Sequence, residues 1–186
     1  MRCRAATALL LISSVLPAAS AAQRPWPDAD VRRGMLSFDG KSTLGDFTGE
    51  TRTVRGQMIG GTALTEVRGW VEAPVGTLKT GNDRRDRDLV KTMDAGLFPN
   101  IRFELTAVSM EWERGDSAGV LLQGNFVIHG VTREAKFPAS VARTAEGVHV
   151  TATLPMDLKD YKIENLTRFL VFKMQKDIVV HIDLLF

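Results

Sequence analysis

The last ten residues read Asp177-Ile178-Val179-Val180-His181-Ile182-Asp183-Leu184-Leu185-Phe186. Ile178, Val180, Ile182, Leu184 and Phe186 fall on one side of an extended chain, and Asp177, His181 and Asp183 on the other. A period of two with one apolar side marks a strand with one buried face. The pattern recurs upstream. Segment 147–158 aligns Val148, Val150, Ala152, Leu154, Met156 and Leu158, and segment 118–129 aligns Val120, Leu122, Gly124, Phe126 and Ile128. Segment 99–107 sets Ile101, Phe103 and Leu105 against Arg102 and Glu104. Weaker alternation marks strands at 31–38, 51–59, 66–73 and 132–142. Turn signals at Gly40, Gly45, Gly49, Gly60-Gly61, Gly115-Asp116, Gly130 and Glu146-Gly147 punctuate these runs.

One stretch breaks the period. Thr80 to Met93 is polar, with Leu89, Val90 and Met93 at helical spacing, and either Thr80 or Asn82 can cap it. It is expected to form a short amphipathic helix across one end of a sheet. Its charge run is expected to be a solvated face stitched by pairs such as Asp83–Arg87. Lys159 to Phe172 reads as a loop or short helix before the last strand. No helix alternates with strands, which argues against a parallel sheet. The fold class is therefore all-β: an eight-stranded antiparallel barrel with one short amphipathic helix, closed so that no edge is left bare. A barrel of that size fills its interior with side chains or holds one small ligand.

The chain has 186 residues, enough for one domain, with 25% charged and 44% hydrophobic residues. Residues 1–22 read as a secretory signal peptide. Arg2 and Arg4 precede the uncharged run Ala5 to Leu16, Pro17 breaks it, and small residues follow through Ala22. A periplasmic or secreted location is the expectation. Gln23 to Asp30 is a Pro-rich lead-in, and 31–186 is the folded domain. Of 24 Lys+Arg and 22 Asp+Glu, only Arg2 and Arg4 lie in the signal, so the mature chain is neutral. Neutrality gives no steering toward nucleic acid. The one cysteine, Cys3, also lies in the signal, so a disulfide scaffold and a cysteine-based zinc site are excluded.

Catalytic constellations are sparse. His129, His149 and His181 form no HxH or HxxxH pair, so no metal site is expected. His149 and His181 fall on polar strand faces, and His129 falls at the turn Ile128-His129-Gly130-Val131. Asp157, Asp160 and Glu164 could supply a carboxylate pair, but nothing in their spacing joins them. There is no G-x-S-x-G, no dinucleotide fingerprint and no P-loop, so no enzyme and no cofactor are expected. A hydrolase using His129 with Asp160 is the catalytic alternative that the residues leave open.

Four ordered motifs resemble the YceI-like family. Residues 78–89, Leu78-Lys79-Thr80-Gly81-Asn82-Asp83-Arg84-Arg85-Asp86-Arg87-Asp88-Leu89, resemble its T-G-N-x-x-R-D-x-H-L signature. Phe98-Pro99-Asn100-Ile101-Arg102-Phe103 is similar to its Y-P-x-I-x-F segment. Gly124 to Arg133 is similar to its G-x-L-T-I-H-G-V-T-K/R hairpin, and Asp160-Tyr161-Lys162-Ile163 to its D-[FY]-G-I segment. The chain departs from the pattern at Asp88 (often His), Glu134 (often Pro), Lys162 (usually Gly) and Phe98 (usually Tyr). The resemblance implies a lipocalin-like barrel that binds a polyisoprenoid or quinone-like chain along its interior, in some members linked to a membrane cytochrome b561-type partner.

The residues expected to hold such a chain are inward aliphatics and aromatics. They are Val54, Met58, Ile101, Phe103, Leu105, Leu122, Phe126, Ile128, Val148, Val150, Leu154, Ile178, Val180 and Ile182. Besides that hydrolase, two functions remain open. One is a carrier or store of an apolar, isoprenoid-like lipid. The other is an adaptor barrel with a filled interior, docking a membrane partner through its charged helix. The sequence leaves oligomerisation open.

Overall fold

His129 and Gly130 both have positive φ, 51° and 71°. They are the two central residues of a tight turn that joins Ile128 to Val131, its register partner. A two-residue turn with both residues at positive φ matches the right-handed twist of the strands it connects. It is one of the hairpins that build the fold. The computed structural model describes residues 24–42, 45–163 and 175–186. Its strands are β1 (Ala29–Asp30), β2 (Arg33–Gly40), β3 (Phe47–Thr51), β4 (Arg55–Ile59), β5 (Arg68–Pro74), β6 (Asn100–Arg114), β7 (Ser117–Ile128), β8 (Val131–Arg143), β9 (Val148–Asp157) and β10 (Asp177–Leu185). One helix, α1 (Asp83–Thr92), interrupts them between β5 and β6.

The pairing is antiparallel throughout, and β5 to β10 pair in chain order. Ten segments form where eight strands were expected, because two ribbons are each broken in the middle. Ala29 faces Met58 in the β1–β4 pair, and Leu36 faces Thr51 in the β2–β3 pair, on one continuous register. Between the two pairs, the Val31 N–H donates to the Gly56 carbonyl at 2.9 Å. Thus 29–40 is one ribbon and 47–59 is its hairpin partner. The first ribbon also pairs with β10 and the second with β5. The ring of eight ribbons is therefore closed.

The alternation of β10 survives in the structure: Ile178, Ile182 and Leu184 are buried, whereas Val179 is exposed. The two ends of the ring differ. At one end, called upper here, lie α1, the His129-Gly130 turn and a 3-10 turn at Leu158–Tyr161. At the lower end, Leu64, Val67 and Phe186 are buried. Residues 1–22, read as a signal, lie outside the described residues, as does most of the 159–172 loop.

Helix α1 follows its capping chemistry. The Asn82 side chain accepts hydrogen bonds from the backbone N–H groups of Arg84 and Arg85, so Asn82, not Thr80, is the cap. Asp83 and Asp86 lie in the first turn and Lys91 in the last, complementing the helix dipole.

Candidate functional site

An apolar cavity of about 140 Å³ lies under α1, inside the upper half of the ring. A second, of about 80 Å³, lies in the lower half. Val71, Phe103 and Ile182 line both. Three rings meet at this level. The Phe103 centroid is 4.6 Å from Phe126 and 5.4 Å from Phe137, and Phe126 and Phe137 are 6.0 Å apart. These rings divide the lumen into two chambers. Gly124 makes room for them, since a Cβ there would stand 2.6 Å from the Phe103 ring.

The residues expected to line the interior distribute between the chambers. Ile101, Phe103, Phe126, Ile128, Ile178, Val180 and Ile182 line the upper one. Met58, Phe103, Leu105, Leu122, Val148, Val150 and Ile182 line the lower one. Val54 and Leu154 line neither. Val54 sits in the break between β3 and β4, where it packs against the core near Gly34, and Leu154 is buried within the core. Sequence reasoning missed the roof and rim of the upper chamber: Phe38, Phe47, Leu78, Leu89, Met93, Leu158 and Ile163.

The inner stripe of α1 is Arg85, Asp88, Leu89, Thr92 and Met93, all of which line the upper chamber. This is the spacing of one helix face. The two charges on that stripe correct the reading of the helix as a wholly solvated charge run. No Asp83–Arg87 ion pair forms among the described residues. Arg85 instead lies over the Phe47 ring, 4.2 Å from its centroid, and donates from Nη2 to the Thr80 carbonyl at 2.9 Å. Phe47 in turn meets Phe38 edge-on at 6.1 Å.

Asp86 turns the other way and ties the helix to its leading loop. Its Oδ1 accepts from the Thr80 hydroxyl at 2.6 Å and from the Thr80 N–H at 2.8 Å. Lys79 Nζ lies 3.7 Å from Oδ2. Burial pushes this carboxyl up, but the two Thr80 hydrogen bonds, with Lys79 and Arg85, outweigh it and hold the pKa below the usual aspartate value.

The other titratable candidates make contacts within the fold. His129 Nδ1 lies 3.1 Å from the Tyr161 carbonyl, which only accepts, so Nδ1 carries the proton. The His129 ring meets Phe98 edge-on at 5.0 Å. Asp157 accepts from the Lys159 N–H and from Lys176 Nζ, at 2.9 Å and 2.6 Å. Glu164 lies outside the described residues. On the outer face His149 donates to Asp183 and His181 to Asp39, at 2.8 Å and 2.9 Å. Among the described residues no cluster of side chains is arranged to hold a metal ion.

The closed antiparallel ring, its apolar lumen and its helical roof together define a lipocalin-like barrel. The family model for the YceI-like domain matches residues 28–186, and the chain belongs to that family. No curated protein matches the chain. Among solved structures it is similar to a polyisoprenoid-binding domain from Saccharophagus degradans. The TM-score is 0.69 at 15% identity, covering 83% of this chain and 95% of that one. It is also similar to BcnA of Burkholderia cenocepacia, with a TM-score of 0.68 at 14% identity, covering 81% and 94%. The YceI protein of Campylobacter jejuni matches with a TM-score of 0.52 at 16% identity, over 72% and 82%.

Proposed function

We propose that this protein binds a long apolar chain, polyisoprenoid or quinone-like, inside its barrel, and that it carries or stores that chain outside the cytoplasm. The observation that carries this reading is the lumen, where two adjoining cavities are walled by side chains that are almost all apolar. A cavity of that kind stays dry and accepts an apolar guest. Each methylene moved from water into it contributes about 0.8 kcal/mol. The Saccharophagus neighbour, a polyisoprenoid-binding domain, supports the same ligand class. Export rests on the layout of residues 1–22. The role is binding, with no catalytic step.

The size of the cavities sets a condition. A dry cavity of about 150 Å³ takes a body the size of benzene. The upper chamber, at about 140 Å³, matches one such body in its present form. A longer chain must turn the Phe103, Phe126 and Phe137 rings aside and join the chambers. The same three rings favour the second reading, an adaptor barrel plugged by its own side chains that meets a membrane cytochrome through α1.

Organic extraction of the purified protein, followed by mass spectrometry, separates the two. Release of an apolar compound in proportion to protein supports the carrier. An empty extract, together with no uptake of added isoprenoid, supports the adaptor.

A further inference from the structure

We propose that Arg85 and Asp88 form a head-group site in the roof of the upper chamber, selecting an apolar chain that ends in a hydroxyl. The inference rests on the chain-binding reading above and names the polar end of the guest.

Asp88 is 9% exposed, and its Oδ2 has no hydrogen-bond partner among the described residues. Arg85 Nε is likewise buried and unpartnered. Both residues line the upper chamber. They stand three apart on α1, within the stripe that otherwise presents Leu89, Thr92 and Met93 to the lumen. Positions facing an apolar cavity are the costliest places to leave a polar atom unpaired. The two groups do not satisfy each other, since no ion pair joins them among the described residues. Arg85 is held in place by the Thr80 carbonyl and the Phe47 ring, so its Nε–H has little freedom to seek water.

The roof thus offers one fixed donor and one acceptor above an oily chamber. A hydroxyl is the head group whose chemistry answers to both, since its proton can be donated to an acceptor such as Asp88 Oδ2 and its oxygen can accept from a donor such as Arg85 Nε–H. An aldehyde or quinone carbonyl only accepts, so it leaves Asp88 unpaired. A carboxylate likewise only accepts, so it too leaves Asp88 Oδ2 unpaired. A plain hydrocarbon leaves both groups bare. Methylene contacts alone discriminate poorly between chains, so the head group carries the selectivity.

Farnesol, farnesal, farnesoic acid and farnesene share one chain and differ at its end. Their affinities for the full chain, measured by displacement of a fluorescent apolar probe, test the site. Farnesol is expected to bind roughly ten-fold more tightly than farnesal, farnesoic acid or farnesene. Asp88→Leu is expected to bring farnesol down to the farnesene level while farnesene binding holds or improves. Asp88→Asn, which keeps the shape but adds an N–H donor, is expected to narrow the gap between farnesol and the acceptor-only farnesal and farnesoic acid. Equal binding of all four compounds would overturn the head-group site and leave chain binding standing. So would a farnesol preference that survives in both variants with wild-type unfolding midpoints. Failure of every compound to bind would overturn chain binding itself, and the head-group site with it.

Discussion

Phe103 on β6 lies directly across from Phe126 on β7, and their ring centroids are 4.6 Å apart in the middle of the lumen. Aromatic cross-strand pairs of this kind stabilise a sheet, and here the pair also divides the interior. Phe126→Leu is expected to cost about 1–2 kcal/mol of stability through lost packing. It is also expected to join the two chambers. The check is a urea midpoint measured beside the affinities of a short and a long isoprenoid. The long chain should gain affinity relative to the short one. An unchanged ratio would mean that these rings do not gate the lumen.

Asp86 fastens α1 to the loop before it, through the Thr80 hydroxyl and N–H. Its folded pKa lies below the ordinary value, because the Thr80 bonds and nearby cations together outweigh the burial that pushes it up. A depressed carboxylate contributes stability that is complete above the unfolded pKa and is lost as pH falls through the folded one. The contribution should therefore be intact above roughly pH 4 and fade below it. Asp86→Ala is expected to cost about 1–3 kcal/mol at neutral pH. It should also flatten the acid limb of stability against pH, followed by urea unfolding between pH 2 and 7. A parallel downward offset at every pH would remove the linkage.

Lys162 holds a left-handed backbone, φ 58°, just after the 3-10 turn at Leu158–Tyr161. A side chain in that region strains the backbone, whereas glycine adopts it freely. Lys162→Gly gains flexibility in the unfolded chain, which offsets part of the relief. The net expectation is a gain of about 0.5–1 kcal/mol, read from the thermal or urea midpoint. A loss of stability would mean that the Lys162 side chain makes a contact worth more than the strain.

The strands were legible because their inward faces repeat every second residue without interruption. The β3 segment is faint in the sequence because its inward positions are Phe47, Gly49 and Thr51, which carry little apolar signal. The space over Gly49 is filled from β2 by the Phe38 ring, and a Cβ on Gly49 would stand 2.3 Å from it. The breaks at 31–32 and 52–54 were invisible for a related reason: they depend on the register between ribbons, which composition does not encode.

The lumen was legible as a face but not as two chambers. Phe103, Phe126 and Phe137 come from three different strands, and only their register brings the rings together. The roof is hard to read from sequence, because a dense charge run on a helix is usually a solvated face. The spacing of Arg85 and Asp88 with Leu89, Thr92 and Met93 was the available signal that two of those charges turn inward.

The central claim is that the guest lies inside the ring. An isoprenoid bearing a photoactivatable diazirine in its tail, cross-linked to the full chain and mapped by peptide mass spectrometry, reads the position of that tail. The account predicts labels on upper-chamber residues such as Met93, Met156 and Ile178, competed away by unlabelled chain. Labels confined to exposed side chains such as Ile59, Leu97 and Met110, and indifferent to competitor, would contradict it.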